Sequence, residues 1–163
     1  MTNHTLQKQM IQTGAVLAGL SVAIGAFGAH QLKDSISDAS LDTFQTAVRY
    51  QFYHGLAILT LGGMLRRLNE KTAKLTFNFF LFGVIIFCGS LYILSTRELT
   101  LGDSLKWLGG LAPLGGLLFI SGWAMIAYNG YKFTMDGEGE SNRHKGSKRH
   151  HSSHKSETEE EEK

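Results

Sequence analysis

One cysteine and one proline are all that 163 residues contain of the two most constraining residue types. A lone cysteine excludes a disulfide-stapled scaffold and any zinc site built on several thiolates. Charge is scarce as well, though unevenly. The first 131 residues hold 6 acidic and 9 basic side chains, whereas Lys132 to Lys163 hold 8 and 7. A net charge of +2 without a basic stripe argues against nucleic acid as a partner. The mean hydropathy of −0.06 would suit a soluble domain, but it averages two unlike parts. Ahead of the charged tail lies an apolar body with 16 of the 19 glycines, both tryptophans and all but one phenylalanine. That body reads as a membrane protein, with the lipid bilayer as its first partner.

A helix needs roughly 20 apolar residues to cross hydrocarbon, where no water can satisfy a broken backbone ladder. The charge-free stretches are therefore the candidates. Lys8 to Lys33 enclose 24 uncharged residues, Arg49 to Arg66 enclose 16, Lys74 to Arg97 enclose 22, and Lys106 to Lys132 enclose 25. Four spans are expected, at about 10–29, 50–66, 75–95 and 107–131. The fold class is an all-α integral membrane four-helix bundle with a disordered charged C-terminal tail, 132–163. The second stretch is short, but Leu41, Phe44, Val48 and Phe52 precede it at helical spacing, with Ser37 or Ser40 as N-cap. One helix from about Ser40 to Arg67 is expected. Its first turns, about 40–50, form an amphipathic lead-in outside the hydrocarbon or along its interface. The first span has a rival reading as a cleaved signal peptide ending in Gly25-Ala26-Phe27-Gly28-Ala29. Its length, and small residues spread along it, favour a retained helix.

Orientation follows lysine and arginine near the span ends. Ten lie on the side shared by the N-terminus, the second-to-third loop and the tail, against Lys33, Arg49, Arg97 and Lys106 on the other. Both termini are expected in the cytoplasm, with the chain multi-pass in the cell membrane. Tyr50, Tyr53, Trp107, Trp123, Tyr128 and Tyr131 fall near span ends, where amphipathic rings anchor.

Helices in lipid associate by close packing of small residues, because lipid tails are as apolar as leucine. The first span offers Ala15, Gly19 and Ala23 on one stripe, and Ser21, Gly25 and Ala29 on its neighbour. Gly28, Gly55, Gly62, Gly63, Gly115 and Gly116 extend the set. Pro113 either kinks the fourth helix or starts it. The third span, rich in Phe77, Phe79, Phe80, Phe82 and Phe87, is expected to face lipid widely, with Cys88, Gly89 and Ser90 marking its packing side. Ser21, Thr60 and Asn78 are candidates for interhelical hydrogen bonds.

Polar groups at membrane depth are functional candidates by default. His30 closes the first span and His54 lies one turn beyond Tyr50, so the two belong near one interface and could meet there, with Arg49 and Gln51 on the same helix as His54. Two histidines and a carboxylate can hold a transition metal or relay a proton, yet no HxxxH or HExxH spacing supports a metal. No GxSxG, P-loop, CxxC or paired-carboxylate pattern is present. No catalytic residue, metal or cofactor is therefore expected. The leading expectation is a non-enzymatic membrane protein acting by packing or by interaction with a homo-oligomeric partner or another membrane protein. The alternative is a small transporter or channel component that passes protons, ions or a small solute by His30 and His54. In the tail, four histidines and the run Glu159–Glu162 suggest solvation first, weak metal or lipid binding second.

Three segments carry a resemblance: Gly25-Ala26-Phe27-Gly28-Ala29-His30-Gln31-Leu32, Phe44-Gln45-Thr46-Ala47-Val48-Arg49-Tyr50-Gln51-Phe52-Tyr53-His54-Gly55-Leu56, and Ala112-Pro113-Leu114-Gly115-Gly116 with Gly122-Trp123. In this order they resemble the small membrane proteins of domain-of-unknown-function family 423, which includes relatives of eukaryotic transmembrane protein 256. The resemblance covers about residues 10 to 131. It implies a four-span protein of the bacterial cytoplasmic membrane with an uncleaved first span, and no assigned activity. The tail departs from the family pattern.

Overall fold

The computed structural model describes residues 3–65, 68–100 and 102–130. The tail lies outside them, and so do Arg66, Arg67 and Tyr131. Every long element among the described residues is helical, with no strand. Two units are separable, Met1–Ile126 and Ala127–Lys163; of the second, only 127–130 are described, and they are helical.

Helix α1, Asn3–Phe27, runs into a π turn at Gly28–Leu32. Helix α2, Asp38–Met64, starts at Ser37, whose extended backbone and hydroxyl cap the Ser40 amide, while Asp38 complements the positive end of the helix. Of the two candidate caps, the earlier is used. Helix α3, Glu70–Gly83, starts at Asn69, whose Oδ1 accepts from the Lys71 and Thr72 amides. A π turn at Val84–Cys88 joins it to α4, Gly89–Thr100. A 3₁₀ stretch, Gly102–Leu111, leads to the last helix, α5, residues 112–130. Pro113 thus starts α5 instead of kinking it, in the first turn, where its missing N–H costs no ladder bond.

By length and composition, three helical stretches suffice to cross a membrane: His4–Leu32, Glu70–Arg97 and Trp107–Gly130. Helix α2 carries Asp38, Asp42 and Arg49 in its first half and Gln51 and His54 in its second. It is the central element, burying Phe44, Ala47, Gln51, His54, Gly55, Ile58, Leu61 and Gly62 along one continuous face.

Helices α1 and α2 form an antiparallel pair in close backbone contact. A Cβ on Gly14 would meet Leu59 N at 2.5 Å and Gly55 O at 2.7 Å, and one on Gly55 would meet Ala18 N at 2.9 Å. Gly62 faces Met10 and Ile11, Gly25 faces Val48, and Gly28 accepts the Phe44 ring. The same register runs the length of both helices, so the first turns of α2 lie along the last turns of α1 through Phe44 and Val48.

Four of the glycines expected to pack do not. Gly19, Gly63, Gly89 and Gly116 have nothing within 4 Å of a built Cβ, and the stripe Ala15, Gly19, Ala23 points outward. The packing stripe of α1 is instead Gly14, Ala18, Ser21, Gly25 and Gly28, whose alternating steps of four and three match the antiparallel seam of α2. On α3 and α5 the logic is ring into notch, with Phe80 over Gly122 and Phe119 over Gly83, while Gly115 lets α5 approach the backbone of Phe87 in the π turn. Phe77 and Phe80 are buried and Phe87 is packed against the core, so the aromatic span turns more of its rings inward than its composition suggested.

Candidate functional site

Two polar residues of α2, one turn apart, hold the unit Met1–Ile126 together. Gln51, 5% exposed, donates from Nε2 to the Leu17 carbonyl of α1 at 3.0 Å. Its Oε1 accepts the Tyr92 hydroxyl of α4 at 3.0 Å. Tyr92 is steadied by an edge-to-face contact with Phe44, ring centroids 5.2 Å apart. The Leu17 carbonyl belongs to a helix ladder already and uses its second lone pair here.

His54, 4% exposed, lies 2.8 Å from the Tyr50 carbonyl through Nδ1 and 3.2 Å from the Trp123 indole nitrogen of α5 through Nε2. The partners fix the tautomer. A carbonyl only accepts, so Nδ1 carries the proton; an indole N–H only donates, so Nε2 accepts. A neutral imidazole satisfies both partners, and a doubly protonated ring would lose Trp123. The imidazole stacks on Phe119 with centroids 3.5 Å apart and planes 11° apart, and meets Phe80 edge-on at 5.3 Å. No charged side chain is among these partners.

The four sequence candidates do not converge. Gln51 and His54 share the buried face of α2. Arg49 is exposed and donates to Thr46 Oγ1 at 3.2 Å on its own helix. His30 sits in the first π turn and is exposed; none of the groups bonded to or stacked on His54 comes from α1. Among the described residues no three His, Cys, Asp or Glu side chains gather closely enough to hold a metal. Cys88 is buried in the π turn as a free thiol.

Every buried side-chain nitrogen and oxygen among the described residues has a hydrogen-bond partner. Ser21, Ser90, Ser95 and Thr60 turn back onto their own helices. Tyr92 and Trp123 were not among the sequence candidates. Tyr92 could have been noticed as a hydroxyl inside the charge-free stretch between Lys74 and Arg97. Trp123, 49% exposed, carried no such signal, because an interface anchor and an indole that donates to another helix share the same position near a helix end.

Comparisons with known proteins place the chain among uncharacterised membrane proteins. A family model described as "Protein of unknown function (DUF423)" matches residues 24–116. A UPF0382 membrane protein of Staphylococcus haemolyticus is 39% identical over 126 residues, covering 77% of this chain and 98% of the relative. The UPF0382 membrane protein YwdK of Bacillus subtilis is 37% identical over 127 residues, and a UPF0382 membrane protein of Staphylococcus epidermidis is 37% identical over 130, with the same coverage. No solved structure matches.

Proposed function

Since this chain belongs to the DUF423 family, whose relatives in Staphylococcus and Bacillus are called membrane proteins, we propose that it is a four-span protein of the cell membrane that works by association with other membrane components, without catalysis. Both termini face the cytoplasm in this reading, on the excess of lysine and arginine at that side. Helix α2 supplies the remaining span in this reading, because α1, α3, α4 and α5 cover its Gln51 and His54. The observation that carries the reading is the internal satisfaction of the polar hub. A site that binds or passes a solute keeps donors and acceptors open to it, yet Gln51 and His54 spend theirs on Leu17, Tyr92, Tyr50 and Trp123. The outward faces, by contrast, are apolar, as with Val16, Val22, Leu117 and Ile120.

The alternative, passage of protons, ions or a small solute by His30 and His54, draws less support, because the two histidines have no common partner and aromatic rings enclose His54. Photo-crosslinking from Val22 and Ile120 in intact membranes decides between them. Discrete adducts with a protein partner are expected. A purified chain that forms none, yet gives pH-dependent flux in liposomes that His54→Ala abolishes, would overturn the proposal in favour of transport.

A further inference from the structure

Asn78, like Gln12 on α1, is left out of the internal bonding of the polar groups. It lies one turn beyond Lys74, inside the charge-free stretch that ends at Arg97, and its partly buried amide makes no hydrogen bond. An amide carries two donors and an acceptor, and hydrocarbon offers it nothing in return. The side chain is therefore costly where it stands unless another polypeptide completes it.

Its neighbours on the outward side of the rod are spaced for such a partner. Leu75, Phe82 and Ile85 are 44%, 53% and 57% exposed, and Gly89 has nothing within 4 Å of a built Cβ. As far as the π turn, Leu75, Asn78, Phe82 and Ile85 follow steps of three, four and three, the alternation that keeps a seam facing a parallel helix. One polar residue in an otherwise apolar seam fixes register and partner number in such pairs.

We propose that this seam is the interface between two copies of the chain, closed by an Asn78–Asn78 hydrogen bond across a two-fold axis. The membrane selects this occupant on geometric grounds. Copies inserted with one topology can be related by a two-fold only along the membrane normal, so the two α3 helices run parallel and each seam residue meets itself at equal depth. An amide is self-complementary in that arrangement, donor to acceptor. A lone carboxylate or ammonium in the same place would repel its twin. The inference rests on the reading that the chain acts by association, but the two can fail separately. A chain that is monomeric yet crosslinks to a different membrane protein overturns the seam and leaves that reading standing.

The test uses the full chain in lipid vesicles, with Cys88→Ala as background. Phe82→Cys and Ile85→Cys are expected to oxidise to disulfide-linked dimers, while Val16→Cys, on the outward face of α1, stays monomeric. Dilution in lipid of a dye-labelled chain reads the dimerisation constant. Asn78→Leu is expected to weaken it by about three- to thirty-fold, and Asn78→Gln to retain most of it. Asn78 is partly buried, so thermal stability in detergent is measured alongside, and a dimer lost at unchanged stability separates lost dimerisation from lost fold. Crosslinking through Val16→Cys alone, or a dimer as tight with Asn78→Leu as without it, would overturn the proposal.

Discussion

A Cβ placed on Gly14 would stand 2.5 Å from the Leu59 amide nitrogen, and backbone atoms cannot swing aside as a side-chain tip can. Gly14→Val should therefore force α1 and α2 apart and cost about 1–3 kcal/mol or more. Gly19→Val, with open space around it, should be close to neutral; thermal unfolding of the two variants in detergent compares them directly. The residue type was legible in both cases, but the face was not, because a helix dense in glycine and alanine offers several equivalent stripes and only the partner's shape selects one. Gln51 was legible for a firmer reason, since an amide in the middle of an apolar bundle must be bonded to something. Which bond it makes is measurable. A double-mutant cycle between Gln51→Leu and Tyr92→Phe should return a coupling of about 0.6 to 1.7 kcal/mol, and additivity would mean that the hydroxyl is served elsewhere.

The ends of the helices were largely written in charges and caps. Ser37 and Asn69 open α2 and α3, and Pro113 opens α5. The π turns were not legible, because no residue type marks them. Their effect is geometric. A step of four residues overshoots one α turn and falls short of one π turn, so Val84–Cys88 lets Phe80, Val84, Cys88 and Tyr92 stay on one side of the rod. Deleting Ile86 should return the segment to plain α-helix, in which Phe80, Val84, Cys88 and Tyr92 fall at i, i+4, i+7 and i+11 and still share one face. Circular dichroism should then show unchanged helix content, and the Gln51–Tyr92 coupling should survive. A deletion variant that lost that coupling would refute this account of the turn.

For the molecule as a whole, composition separated body from tail and helical from other folds, and it gave the family through three short segments. The site was only half legible. Gln51 and His54 could be picked out as polar groups at depth, whereas Trp123, Tyr92 and the outward position of His30 depend on how helices distant in sequence are rotated. The closeness of α1 and α2 bears on how the protein is made. By composition α2 is not among the stretches apolar enough to cross alone, and one of its polar groups, the Gln51 amide, is bonded by its immediate predecessor through Leu17, beside the glycine seam. The ribosome therefore delivers the remedy before the difficulty. In a glycosylation-mapping assay, the segment 38–65 alone should integrate poorly, and 3–65 should integrate as a hairpin. Gly14→Val, by prising the pair apart, should damage biogenesis more than its effect on the finished protein would suggest, since translocation offers only seconds for the two helices to find each other.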